Sequence, residues 1–168
     1  MVARFARAYR ASFPALHHGT TRTNTAMARQ IPVNGYGIAD FVTVNWEPST
    51  CRDALGPLAV QAFVSQARPV IRAFELKLRD WRKALAQANR YRFYAHVAIV
   101  VLPPHFCTAA LKFLDTFQLL EIGLWSFDSA SGRIVTHFTP RPSPPVDLPN
   151  QMRALSLVAK ASKALPIA

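Results

Sequence analysis

Residues 70–94 read VIRAFELKLRDWRKALAQANRYRFY and contain the most informative pattern in the chain. Residues 70–77 predict a β-strand that is mainly apolar. Because side chains alternate between the two faces of a strand, Glu75 and Lys77 emerge side by side on the face that carries Ile71 and Ala73. The chain has only three glutamates, so this pairing of a carboxylate with an ammonium in an apolar strand indicates a specific role.

A helix is predicted directly after this strand. Asp80 is a suitable N-cap, because its carboxylate can accept a hydrogen bond from the first helical turn. Gln87 and Tyr91 are one turn apart at the border of the inner face, so both can reach a group held by Glu75 and Lys77. The inner face itself is apolar and consists of Trp81, Ala84, Leu85 and Ala88.

An earlier strand carries an acid in apolar surroundings. Residues 31–46 (IPVNGYGIADFVTVNW) predict a turn at the Asn-Gly pair, followed by a strand on which Asp40 shares a face with Val42 and Trp46. A charge in such a position is costly unless it is paired or bound to a metal. The alternative is that Asp40 caps a turn through its own backbone. Glu75 and Lys77 have a similar alternative, a surface ion pair worth less than ~1 kcal/mol.

A strand aspartate, then a strand with E-x-K and a helix with Q-x-x-x-Y, together resemble the core of the PD-(D/E)xK nuclease superfamily, the restriction-endonuclease-like fold. The Gln87–Tyr91 pair is similar to the variant in the exonuclease domains of recombination helicase–nucleases. The resemblance covers roughly residues 36–138. It implies an α/β fold of the αβββαβ type, in which helices flank a central mixed β-sheet.

The same resemblance implies Mg²⁺-dependent hydrolysis of DNA phosphodiester bonds. Asp40, Glu75 and the backbone carbonyl of Leu76 would be ligands of Mg²⁺ or Mn²⁺, and two carboxylates suffice because Mg²⁺ keeps several waters. Lys77 would orient the attacking water, help to deprotonate it or offset charge on the phosphate, and the sequence leaves these roles open. The implied catalytic residues are Asp40, Glu75, Lys77, Gln87 and Tyr91.

The charge of the chain favours a polyanionic partner. Twenty Lys and Arg residues against nine Asp and Glu give a net charge of +11. Nucleic acid is the expected partner, and an anionic membrane surface is the second candidate. No apolar run approaches the ~20 residues that span a bilayer, so no stable membrane association is expected. Cys51 and Cys107 have no metal-ligand spacing, which predicts reduced thiols and a cytoplasmic protein of bacterial or phage-like type.

The sequence predicts three segments. Residues 1–30 form a basic N-terminal helix or arm, residues 31–139 the nuclease-like domain, and residues 140–168 a Pro-rich linker with a basic C-terminal helix. The acid-poor first segment is also typical of an organellar targeting peptide. Whether the chain forms a homodimer is left open. The expected DNA-binding residues are Arg4, Arg7, Arg10, Arg79 and Lys83.

The remaining elements follow from hydropathy. Residues 47–69 are an insertion with a short helix or an extra strand pair. Residues 96–102 predict a buried strand parallel to the Glu75 strand, and residues 105–119 predict one helix. A hairpin with its turn at residues 129–132 follows.

Two other functions compete with the nuclease. A DNA-binding or scaffold protein that keeps the fold without cutting is favoured by the lack of any acid in residues 1–30, where superfamily members often place a glutamate, and by the long separation of Asp40 from Glu75. A membrane-surface protein that uses the basic N-terminal helix is the weakest candidate, because that helix has a weak apolar face.

Overall fold

The computed structural model describes residues 1–13, 24–47 and 57–167, and a β-sheet of six strands forms its middle layer. The strands follow one another across the sheet in chain order. They are β1 (Asn24–Val33), β2 (Gly37–Trp46), β3 (Val70–Leu76), β4 (Val97–Leu102), β5 (Ile122–Phe127) and β6 (Ile134–Phe138).

The sheet is mixed, as predicted. Strands β1, β2 and β3 form an antiparallel meander. The next two strands, β4 and β5, run parallel to β3, and β6 closes the sheet with an antiparallel hairpin. The parallel pairing of β3 with β4 confirms the prediction for residues 96–102, because the helix between the two strands returns the chain to the same end of the sheet.

Helices cover both faces of the sheet. Among the described helices, α1 (Val2–Ser12) packs on an aromatic face, and the others contribute to the larger core on the opposite face. None of the helices in the described ranges is both long and apolar enough to cross a membrane. The other helices are α2 (Pro57–Ala67), α3 (Trp81–Tyr91), α4 (Pro104–Leu111), α5 (Leu114–Leu119) and α6 (Leu148–Ser162).

Alternation along β3 distributes its side chains between these two cores. Ile71 and Ala73 lie in the larger core, and Phe74 and Leu76 lie in the aromatic one. The predicted facing is therefore confirmed, although β3 ends one residue earlier than expected. The predicted cap of α3 is also confirmed, because an Asp80 carboxylate oxygen accepts the Lys83 N–H at 2.9 Å.

The helix predicted over residues 105–119 is wrong in one respect, because the chain forms two shorter helices, α4 and α5. The break lies at Phe113, whose backbone has a non-helical φ of −119°. The Phe113 ring packs against Trp81, with ring centroids 4.9 Å apart. A tertiary contact on the α3 helix thus accompanies the break, and local helix propensity does not predict it.

Strand β1 was not predicted, and the expected division between residues 30 and 31 falls within it. Its buried positions include Ala26 and Ala28, which are weak strand formers. The strand conformation of this segment therefore depends on its pairing with β2. Gln30 in this strand has a left-handed φ of 53°. The insertion after β2 contains α2, whereas Cys51 and residues 48–56 lie outside the described residues.

The Pro-rich segment after β6 is extended, as predicted, but it is bound to the rest of the fold. Ser143 N donates to His96 O at 3.1 Å, and Asp147 N donates to Phe93 O at 2.8 Å. The helix that follows, α6, buries the predicted residues Leu155 and Val158 in the larger core. The C-terminal segment therefore packs against the sheet.

Candidate functional site

The candidate site lies where β2 and β3 stop pairing. The two strands are paired as far as Phe41 opposite Phe74, so the next step of the register puts Asp40 opposite Glu75. At this step an Asp40 carboxylate oxygen accepts the Leu76 N–H at 2.9 Å. Asp40 therefore bridges the ends of two strands, which differs from the local turn cap that was its alternative interpretation.

Glu75 is the buried centre of this group. Its side chain is 1% exposed, and Lys77 Nζ lies 2.9 Å from Glu75 Oε1. The Tyr91 hydroxyl hydrogen-bonds to the other carboxylate oxygen, Oε2. The Lys77 side chain is 31% exposed, so its ammonium group lies between the buried acid and solvent.

The electrostatics of Glu75 balance opposing effects. Burial raises the pKa of Glu75, and the negative charge of Asp40 raises it further, whereas hydrogen bonds from Tyr91 and Lys77 lower it. The net pKa of Glu75 is raised above its ordinary value. Lys77 and Tyr91 therefore partly offset the cost of an ionised carboxylate in this position.

Tyr91 lies against two acceptors. Besides Glu75 Oε2, its hydroxyl oxygen lies 2.8 Å from the backbone carbonyl oxygen of Ile38. A phenol carries one hydrogen, so it cannot donate fully to both oxygens. A proton on Glu75 would complete the network without a bound cation, whereas an ionised Glu75 would accept the Tyr91 hydrogen bond and leave the Ile38 carbonyl without it. Burial and the neighbouring Glu75 raise the pKa of Tyr91, so its proton stays on the phenol at neutral pH.

Gln87 provides a further oxygen at the inner border of α3. Its Oε1 atom is buried and has no hydrogen-bond donor among the described residues. A buried amide oxygen without a partner costs about 1–3 kcal/mol. Gln87 is one turn before Tyr91, as the sequence predicted, and within the described residues its oxygen remains available to accept a hydrogen bond.

Sequence reasoning missed Tyr94, which the structure adds to this group. Its hydroxyl is buried without a partner in the described part of the chain, and its ring centroid lies 5.7 Å from that of Tyr91. Burial raises the pKa of Tyr94, and the Glu75 charge raises it further. The signal was a second tyrosine three residues after Tyr91, a spacing that keeps both side chains on the same side of the chain.

The oxygen groups at this site fit a hard divalent cation. Each carboxylate oxygen has two acceptor positions, so the bonds from Lys77 and Tyr91 leave one position on each Glu75 oxygen. The second Asp40 oxygen, Oδ1, accepts no hydrogen bond from the described residues. No cluster of three or more His, Cys, Asp or Glu side chains occurs within the described ranges. Two carboxylates, a backbone carbonyl and waters suit Mg²⁺, which keeps much of its hydration shell.

The predicted basic residues divide between the two faces of the sheet. Arg79 and Lys83 are exposed near the start of α3, on the Glu75 face. The exposed arginines of α1, which are Arg4, Arg7 and Arg10, lie on the opposite face.

One of the α1 arginines reaches the edge of the sheet where the site lies. Arg4 lines a cavity of about 230 Å³ together with Leu78 and Pro103, which directly follow Lys77 and β4 in the chain. Arg10 lines a separate cavity with Arg29, near β1. The structure thus brings Arg4 near the candidate site and leaves Arg10 away from it.

No protein-family model matches this sequence, and no curated protein is significantly similar to it. The chemistry of the site is therefore argued from its own residues.

Proposed function

We propose that the protein is a Mg²⁺-dependent nuclease that hydrolyses DNA phosphodiester bonds. The observation that carries this proposal is the buried Glu75 carboxylate, held between Lys77 and Tyr91 and directly beside Asp40. Two neighbouring carboxylates repel each other, and burial adds to the cost of their charge. A structural ion pair of Lys77 with Glu75 would not need a second carboxylate, that of Asp40, beside it.

The order of elements supports the same proposal. A helix, three antiparallel strands, a helix and a strand parallel to the third follow one another from α1 to β4, with α2 inserted before β3. This is the αβββαβ arrangement that a restriction-endonuclease-like core implies. We infer that the fold is of that kind and that β2 and β3 serve to bring Asp40 and Glu75 together.

In the proposed reaction the chain positions the cation, the water and the phosphate. Asp40, Glu75 and the Leu76 carbonyl would hold Mg²⁺ or Mn²⁺, which supplies Lewis acidity and lowers the pKa of a bound water. Lys77 is exposed on one side of Glu75, so its ammonium can orient the attacking water or contact a phosphate oxygen. The buried Gln87 oxygen would accept a hydrogen bond from a bound water, and Tyr91 fixes the orientation of Glu75.

DNA is the substrate that the charge of the chain favours. A net charge of +11 attracts a polyanion, and Arg4, Arg79 and Lys83 lie at positions from which they can contact its backbone near the site. We infer a cytoplasmic location, where Cys107 would remain reduced. Burial raises the pKa of Cys107 to about 11, which makes it a poor nucleophile.

A DNA-binding or scaffold protein that does not cut is the second candidate. It is favoured by the internal hydrogen bonding of the site, since Lys77 and Tyr91 already satisfy Glu75 and Leu76 N already binds Asp40. In such a protein the network would join β2, β3 and α3. DNA binding would then be retained after removal of divalent cations.

Cleavage of supercoiled plasmid with Mg²⁺, Mn²⁺ or EDTA separates these functions. We expect the wild type to cut only with a divalent cation. Asp40→Asn should lose both cleavage and Mg²⁺ binding by calorimetry, because it removes one of two anionic ligands. Glu121→Gln is the matched control, since Glu121 is an exposed acid in the Arg92 ion pair. DNA binding without cleavage in either cation would favour the second candidate.

A further inference from the structure

Strand β3 buries a base as well as an acid. Arg72 precedes Glu75 by three residues on the opposite face of the sheet, and only 8% of its surface is exposed. Its guanidinium donates to Asn45 Oδ1 at 2.7 Å, which is a neutral acceptor. The ion pairs in the described residues involve Lys77 and Arg92, so Arg72 has no acidic partner among them.

Two hydroxyl groups lie beside this cation. Thr43 is opposite Arg72 in the register of β2 with β3, and Tyr9 reaches it from α1. Burial raises the pKa of Tyr9, while the Arg72 charge and the Thr43 hydroxyl lower it, which reflects their proximity. Tyr9 is 1% exposed and Thr43 is fully buried, and the two hydroxyls lie close together, but neither makes a hydrogen bond of normal geometry within the described residues.

What this cluster lacks, among the described residues, is a negative charge. A guanidinium has five N–H donors, and the Asn45 oxygen takes one of them. The Asn45 amide is itself fixed, because its Nδ2 donates to Thr25 Oγ1 at 2.7 Å. The hydroxyls of Tyr9 and Thr43 add two more donors. A buried positive charge without a counter-charge is strongly unfavourable, so the chemistry of the cluster calls for an anion.

The surroundings favour a small anion. The Tyr9 ring packs at centroid distances of 5.3 Å from Phe74 and 5.5 Å from Phe41, which are ordinary aromatic contacts. Because these rings pack closely, an anion bound here has to be small, which argues against a phosphate group. The segment that joins α1 to β1, residues 14–23, contains no Asp or Glu.

The neighbouring histidine does not change this charge balance. His96 Nδ1 accepts the Ile71 N–H at 3.1 Å, which places the ring proton on the other nitrogen. Burial, together with the Arg72 charge, lowers the pKa of His96 to about 4. His96 is thus neutral near pH 7 and is neither a counter-charge nor a competing cation.

We propose that Arg72, Tyr9 and Thr43 bind a chloride ion that fixes α1 to the sheet. The ion accepts hydrogen bonds from the guanidinium and from both hydroxyls, and it supplies the missing negative charge. Because the three residues belong to α1, β2 and β3, the bound ion stabilises the aromatic face of the fold. This site is separate from the Asp40–Glu75 site, and it does not depend on nuclease activity.

Urea unfolding at pH 7.5 and constant ionic strength tests this proposal. The probe is chloride, replaced stepwise by isethionate, an anion too bulky for the site. We expect the urea midpoint of the wild type to rise with the logarithm of the chloride concentration, because chloride binds the folded state only. Equal midpoints in the two salts would overturn the proposal.

Two near-isosteric variants and one control locate the effect. Thr43→Val and Tyr9→Phe each remove a donor while retaining the shape of the side chain, so both should fold and lose the chloride dependence. Tyr94→Phe removes a buried hydroxyl that also lacks a partner in the described residues but lies in the opposite core, so it should retain the dependence. Retention in Thr43→Val and Tyr9→Phe would contradict the site.

A direct measurement separates chloride from a carboxylate of the chain. Line broadening of the ³⁵Cl resonance should occur with the wild type and should be lost in both donor variants. Asp53 lies outside the described residues and is the competing counter-charge. A large loss of stability in Asp53→Asn, with no ³⁵Cl broadening by the wild type, would assign the Arg72 partner to Asp53 and reject the proposal.

Discussion

Glu75 and Arg72 lie three residues apart on the same strand, and both are buried, but their surroundings differ. Glu75 lies at the end of β3, where Lys77 and Tyr91 donate to it and Lys77 remains in contact with solvent. Arg72 lies within the aromatic face and has a neutral amide as its partner. Glu75 is a buried charge at a strand end that Lys77 and Tyr91 stabilise, so it is suited to a catalytic role. A buried charge that has no acidic partner among the described residues, as at Arg72, is suited to holding an ion.

A third charged pair shows what an ordinary ion pair looks like in this protein. Arg92 and Glu121 are 3.1 Å apart, and their side chains are 34% and 55% exposed. Solvent screens such a pair, so its contribution to stability is small. Arg92 and Glu121 are therefore the natural positions for control substitutions against Lys77 and Glu75.

A large effect on catalysis is expected from Lys77→Ala. This change leaves both carboxylates in place and removes the group that assists the water or the phosphate. We expect single-turnover cleavage to fall by about 10²- to 10⁴-fold, the scale of one positioned catalytic group, with Mg²⁺ and DNA binding retained. Rapid-quench kinetics at saturating enzyme measures the rate. Arg92→Ala should cut at the wild-type rate, and an unchanged rate in Lys77→Ala would mean that the active site lies elsewhere.

The next effect concerns the Arg72 side of β3 and depends on pH. The pKa of His96 is lowered from 6.5 to about 4, chiefly by burial. Between these values the unfolded chain binds a proton that the folded chain excludes. The contribution of His96 to the free energy of unfolding should therefore fall by about 3 kcal/mol as pH decreases from 6.5 to 4, and should level off below that.

Urea unfolding across this pH range, with the His96 pKa measured by NMR, checks the sign and the size. His96→Asn keeps an acceptor for Ile71 N and removes the titration, so this component of the pH dependence should disappear. His105→Asn, at an exposed position of α4, should keep it. A His96 pKa near 6.5 in the folded protein would contradict the burial of this ring beside Arg72.

The smallest effect tests how far DNA extends from the Glu75 site. Arg4 shares a cavity with Leu78 at the site edge, whereas Arg10 lies about 9 Å further along α1, at ~1.5 Å per residue. We expect Arg4→Ala to reduce the slope of log binding constant against log salt by about 0.9, the value of one phosphate contact. Arg10→Ala should change it less. Fluorescence anisotropy over a salt series measures both, and equal slopes in wild type and Arg4→Ala would return Arg4 to a role in solubility.

The elements around Glu75 were predictable because local rules govern them. The alternation of side chains determines which residues of β3 face each core. The Asp80 cap and the helical spacing of apolar residues determine where α3 begins and which side it buries, so the sequence was enough for both elements. The break at Phe113 and the presence of β1 depend on contacts with Trp81 and β2. Local patterns do not contain such contacts.

The site was predictable only in part for the same reason. The sequence places Glu75 beside Lys77 and Tyr91 one turn beyond Gln87, but it cannot show that Asp40 binds Leu76 N across two strands. It also gives no sign that Arg72 and Asn45 meet, because their pairing depends on the register of β2 with β3. Residue types and their spacing suggested the chemistry of the site. The register of β2 with β3 was needed to show which side chains are neighbours.

Single-turnover cleavage by Glu75→Gln, compared with Glu121→Gln under identical Mg²⁺ and DNA concentrations, tests the central claim most directly. Both changes replace a carboxylate with an amide of the same shape, one beside Asp40 and the other on the surface. We predict that Glu121→Gln cuts at the wild-type rate and that Glu75→Gln is inactive while it remains folded by circular dichroism. Wild-type cleavage by a folded Glu75→Gln variant would contradict the assignment of this carboxylate as the centre of a metal-dependent nuclease.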